Sequence, residues 1–193
     1  MISMILHGRS SWMARLLVVL AAVPLVAALN LSCTKDRNKY GDELFYKDVA
    51  WGIMTGLSDI YNQNIAGTPT GPVDLTTAGP FGGTVHITGT TTYDQGNGIE
   101  TVHLQYDMTD CRISSTSSST DLNVDLTLNG VISEDGSWST AYTSLSYGSD
   151  ALDVDGVSTR DTRDRAVNDM TPFKANRTSS GTSAELFGFK VSW

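Results

Sequence analysis

Two imidazoles, a group of carboxylates and one internal thiol are the side chains of this sequence with types suited to chemistry. His86 and His103 are the histidines beyond the N-terminal region, and imidazole is the usual general base or zinc ligand near neutral pH. Whether they can act together depends on the chain between them, where Asn97-Gly98 is a strong hairpin signal. A two-residue turn there sets the two histidines six rungs apart, roughly 20 Å at about 3.3 Å per residue. They are then too far apart to share a metal, and both read as solvated or hydrogen-bonded surface groups.

The acidic segment Asp150-Ala-Leu-Asp153-Val-Asp155-Gly156 has the composition of a calcium loop. Aligning Gly156 with the glycine of an EF-hand loop puts Ala151 at the first ligand position and Thr162 where a bidentate glutamate belongs, so the pattern fails. Asp125, Asp153 and Asp155 could still converge on an outer sheet face, although alternating acids on a solvated strand need no cation. No G-x-S-x-G, H-E-x-x-H or glycine-rich phosphate loop occurs, and no spacing pairs Cys111 or a serine with a histidine. A non-enzymatic protein without cofactor or metal is expected.

The elements that must position these groups follow a long apolar run. Arg9 and Arg15 precede Leu16–Leu29. About 14 residues fall short of the roughly 20 that a helix needs to span a bilayer, and match the h-region of a secretory leader. Met13 could equally start it. Leu29-Asn30-Leu31-Ser32-Cys33 then resembles the lipobox of bacterial lipoproteins, which are cleaved before a cysteine that carries the lipid. Ser32 and Cys33 fit that pattern; Asn30 and Leu31 depart from it. The resemblance implies a signal peptide over 1–32, acyl chains such as palmitate on Cys33, a tether over 33–41 and a membrane-anchored domain over 42–193. Thr34 after the cysteine favours the outer membrane. Two alternatives stay open: ordinary cleavage, for instance after Ala28, and a Cys33–Cys111 disulfide, which exported compartments permit.

Loss of Arg9 and Arg15 with the leader takes the formal charge from −8 to −10, since every acidic residue lies after Cys33. Such a balance disfavours nucleic acid and anionic headgroups as partners. The remaining length suits one domain.

Within that domain, Phe45, Val49, Ile53, Leu57 and Ile60 share one face of a helix over Asp42–Ile65, widened by Trp51, Met54 and Tyr61. Gly52 and Gly56 would let another backbone come close. The proline- and glycine-rich Ala66–Gly83 reads as a loop. Gly83–Tyr93 and Ile99–Met108 form the Asn97-Gly98 hairpin, with Tyr93 opposite Val102, Thr91 opposite Leu104, Ile87 opposite Met108 and Tyr106 covering Gly89. Thr109–Asp121 reads as a Ser/Thr-rich loop. Leu122, Val124, Leu126, Leu128 and Ile132 alternate with polar residues, and turns at Asp135-Gly136 and Gly148-Ser149 would lead into Trp138–Tyr147 and Asp150–Ser158.

That register gives inward rows Leu126–Leu145–Leu152, Leu128–Thr143–Val154 and Gly130–Ala141–Gly156, and outward rows headed by Asp125, Thr127 and Asn129. Thr159–Ser183 reads as polar, with a helical turn around Asp161–Met170. Glu185–Trp193 closes the sheet as one strand with Phe187, Phe189, Val191 and Trp193 on a face. Its aromatic end is similar to the last strand of outer-membrane β-barrels, but the other strands lack that family's aromatic girdles.

The expected fold is α+β, an amphipathic helix packed on a curved, mainly antiparallel sheet of about six strands. The expected function is an exported envelope lipoprotein that binds another envelope protein or serves a structural role. The alternative is a carrier of a hydrophobic ligand held between helix and sheet, lined by Trp51, Met54, Leu128, Gly130, Ala141, Val154 and Gly156.

Overall fold

A computed structural model of the chain describes residues 41–193. The leader, the lipobox and Cys33 lie outside the described residues, as does all of the expected tether but Gly41. The domain is mostly β, with one helix, α1 (Asp42–Asn64). Asp42 and Glu43 occupy its first turn, where negative charge complements the helix dipole. Phe45, Val49, Ile53, Leu57 and Ile60 are all buried along its inner face, as their spacing requires.

Eight antiparallel strands follow, each hydrogen-bonded to the next in chain order: β1 (Gly71–Ala78), β2 (Thr84–Asp94), β3 (Ile99–Ser117), β4 (Leu122–Trp138), β5 (Thr143–Arg160), β6 (Arg163–Thr178), β7 (Gly181–Leu186) and β8 (Phe189–Ser192). The helix touches β3, β4 and β5 and also β7 and β8, so the open sheet curls around it. At Gly52 and Gly56 the two layers meet closely. A Cβ on Gly52 would fall 2.6 Å from Val124 Cγ1, and one on Gly56 would fall 2.5 Å from Ile113 Cγ2.

The sheet has eight strands rather than six because several segments with turn chemistry are strand. β1 runs through the expected loop, where Val73 and Leu75 pack against the core. It tolerates Pro72 because an edge strand has one side without a neighbour to bond. Thr109–Asp121 continues β3 through Ser117, with Cys111, Ile113 and Ser115 buried. Asp135-Gly136 and Gly148-Ser149 lie inside β4 and β5, and the chain turns instead at Ser139–Tyr142. Gly136 is needed there for close approach: its φ is 140°, and a Cβ would sit 2.1 Å from Ser144 O. The expected helical turn at Asp161–Met170 is the start of β6. Asp161 and Thr162, at φ 48° and 64°, make a two-residue hairpin turn, and Arg160 pairs with Arg163. The closing strand is a hairpin for the same reason, since Phe187 and Gly188 take φ 50° and 78°.

The β2–β3 register also differs from expectation. Asp94 pairs with Ile99, Thr91 with Val102 and Ile87 with Tyr106, so four residues rather than two form the loop. The Asp94 carboxylate widens it, accepting the Gly96 N–H at 2.8 Å and the Asn97 side-chain amide at 2.7 Å. A slip of two residues keeps every side chain on its expected face. It does place Leu104, not Tyr106, opposite Gly89.

Register shifts interrupt β3 between Met108 and Cys111, β4 between Asn129 and Ser133, and β5 between Ser149 and Leu152. Pro172 of β6, which has no N–H to give, stands beside the last of these. The row of bulges bends four strands together. On one side lie parts of four strands, meeting α1 at Asp48, Gly52 and Gly56; on the other lie parts of all eight, which meet it at Tyr61 and, through Phe187 and Phe189, at Tyr46.

Candidate functional site

Beyond the bulges the inner face of the sheet changes character. Along β4 the inward positions run Leu122, Val124, Leu126 and Leu128, then Ile132 and Glu134. Glu134 is 4% exposed, an inward carboxylate in an apolar row. Tyr106 Oη donates to its Oε2 at 2.5 Å and Tyr147 Oη to its Oε1 at 2.9 Å. Burial pushes the Glu134 carboxyl above the ordinary range, while the two tyrosine hydrogen bonds and the charge of Arg177 pull it back. Burial, reinforced by the neighbouring carboxylate, likewise raises both tyrosine hydroxyls, so they remain protonated donors.

Above this cluster opens a cleft of about 300 Å³. Tyr61, on the last turns of α1, forms one wall; its hydroxyl donates to Glu100 Oε1 at 2.5 Å, and its ring meets Trp138 edge to face at 5.5 Å. Burial is the main reason its hydroxyl is also held protonated. Arg177, next to Leu145 on the inward row of β6, stands exposed at the rim and touches Ser58 Oγ at 3.4 Å. Asn62 and Thr143 add polar lining. The result is a cleft with an aromatic wall, hydrogen-bonding groups and a cation at its mouth, over a carboxylate fixed by two tyrosines. Those features suit holding a small polar ligand.

The residues singled out in the sequence do not assemble there. Leu128 and Val154 are cross-strand neighbours in the core, and Met54 is buried on α1 with Trp51 half-buried. The small row does not form: Gly130 pairs with Met108, Gly156 pairs with Leu126, and Ala141 is exposed in the β4–β5 turn. It depended on turns that are strand. The outward rows shift as well, setting Asp155 opposite Thr127, Asp153 opposite Asn129 and Asp125 opposite Val157. Asp125 pairs with Arg112 at 3.1 Å, and Asp155 accepts from Asn168 at 3.3 Å.

His86 binds Asp74 at 2.8 Å and His103 binds Asp135 at 2.9 Å. They stand four rungs apart, about 13 Å along the strands, rather than six. Among the described residues no three His, Cys, Asp or Glu are grouped to hold a metal ion. Cys111 is a buried thiol, pushed up to about 11 by burial.

Glu134, Tyr106, Tyr147 and Arg177 were not legible as a site, and Tyr61 read only as part of the helix stripe. One signal existed: carrying the even-numbered inward parity of β4 past Ile132 would have put Glu134 inside. Compared with known proteins, the chain matches no family model, no curated protein and no solved structure.

Proposed function

We propose that the protein is an exported, lipid-anchored binding module of the bacterial envelope, without catalytic activity, that holds a small ligand in the cleft beside the C-terminal end of α1. The observation that carries the reading is the Tyr106–Glu134–Tyr147 cluster beneath an open mouth flanked by Tyr61, Trp138 and Arg177. A buried carboxylate with perturbed ionisation in a concave site is a common mark of function. Both Glu134 oxygens are engaged by tyrosine hydroxyls, which favours a fixed binding framework over proton transfer. The direct seating of α1 on Val124 and Ile113 supports this cleft over a hydrophobic ligand held between helix and sheet.

The anchor rests on the Leu29–Cys33 pattern. Labelling the full chain with radioactive palmitate in a bacterial host should mark the protein and not its Cys33→Ser form; equal labelling of both would remove the lipoprotein reading. For the cleft, the Cys33→Ser chain recovered from the envelope without detergent should retain a small molecule in a native mass spectrum. Filling the cleft with Thr143→Trp should eject it, and retention by that variant would place the ligand elsewhere.

A further inference from the structure

Resting on the cleft as a binding site, we infer that its ligand is a sugar acid, a single pyranose ring whose carboxylate pairs with Arg177. Three other arginines reach carboxylates: Arg112 meets Asp125, Arg160 meets Asp48 and Arg165 meets Asp42. Arg177 instead projects from the inward row of β6 into the cleft, and its contact among the described residues is the 3.4 Å bond to Ser58 Oγ. A guanidinium offers five donors in a planar fork, which matches a carboxylate with two parallel bonds. Glu134 makes no close ion pair with it: Tyr106 and Tyr147 bond both of its oxygens, and its charge acts on Arg177 only from beyond ion-pair distance. The first charge an entering molecule meets is therefore positive, although the chain as a whole carries −8.

The walls specify the rest of the ligand. The Tyr61 and Trp138 rings, perpendicular to each other at 84°, give the cleft aromatic surface. Ser58 and Asn62 flank Tyr61 on α1, and Thr143 pairs with Trp138, so hydroxyl and amide groups stand beside each ring. A pyranose carries the same two kinds of group, C–H groups on a face and hydroxyls around its edge. The cleft volume of about 300 Å³ is at the small end for ligand sites, which suits one ring rather than a chain of them.

The test titrates the full Cys33→Ser chain with D-glucuronate, and separately with D-glucose, following the Trp138 indole N–H by NMR, assigned by its loss in Trp138→Phe. Glucuronate should shift that resonance. Glucose should bind about tenfold or more weaker, the size of one charge-assisted pair, and Arg177→Gln should abolish the difference while keeping native amide dispersion. Arg177→Lys should restore part of it. If glucose binds as well as glucuronate, or Arg177→Gln binds glucuronate unchanged, the sugar-acid inference falls while the cleft stands as a site. If neither sugar moves Trp138 but the molecule retained from the envelope does, the inference also falls and the cleft reading survives. If that molecule leaves Trp138 unmoved too, both fail together.

Discussion

The two ends of α1 meet the same sheet and handle buried charge in opposite ways. At the N-terminal end Asp48 is sealed, its side chain 2% exposed, and takes both arms of Arg160: Nε at 2.7 Å from Oδ2 and Nη2 at 2.5 Å from Oδ1. Arg165 reaches Asp42 at 2.8 Å and lies 4.2 Å above the Phe45 ring. Acid and base are matched there, and the helix seats directly on Val124 and Ile113. At the C-terminal end Glu134 is as deeply buried, yet its partners are neutral hydroxyls, and Arg177 stands apart at the rim of a cleft. One arrangement fastens the helix. The other leaves a cation and an aromatic wall facing solvent, at the expense of a carboxylate that would be easier to keep in water.

This contrast can be broken most severely at Asp48. Asp48→Ala removes both of the Arg160 bonds to this buried carboxylate and should destabilise the domain by about 3–5 kcal/mol, read from urea unfolding. A loss under about 1 kcal/mol would show that the pair does not fasten the helix. Between the two ends, Gly56→Ala pushes a methyl into Ile113 and should cost about 1–3 kcal/mol, because a packed core yields only by shifting backbone or rotamers. A neutral or stabilising result there would mean that the helix can lift away from β3.

At the other end the expected signature is a pH dependence. Glu134 has its folded pKa raised by burial, so the native state holds that proton more tightly than the unfolded chain does. Its contribution to stability is fully present below the unfolded glutamate value of about 4.3 and is lost as pH rises through the folded value. Comparing Tm of the native chain with Glu134→Gln from acid to neutral pH should show the native chain losing ground to the variant as pH rises. A constant gap would mean that burial does not govern this carboxylate. The smallest effect belongs to Arg177→Gln: an exposed side chain with one long hydrogen bond should change stability by no more than about 0.5 kcal/mol. A larger loss would make Arg177 a structural partner of α1, and the two ends more alike than they look.

How far the sequence could be read depended on which pattern was local. The apolar stripe of α1 was plain, and so was the meaning of Gly52 and Gly56, because helix periodicity and a missing Cβ act within a few residues. The alternation Leu122–Ile132 was plain for the same reason. The strand ends were not. Asp135-Gly136 has the chemistry of a hairpin turn, and only the approach of the Ser144 carbonyl makes Gly136 a strand residue. That one misreading hid Glu134 and separated Tyr147 from it. β6 was missed because its inward positions include Arg165 and Arg177, charged residues at the helix and at the cleft mouth that break the apolar alternation.

By itself, then, the sequence determined the helix α1 with its buried face, the mostly antiparallel β character and the inward parity of the central strands. Those follow from the charge, size and period of neighbouring residues. Tertiary structure alone decided the eight-strand order, the row of bulges and the cleft. Tyr61, Tyr106, Glu134, Tyr147 and Arg177 come from α1 and four different strands. Register and strand length, set by pairing across the whole sheet, are what bring them together.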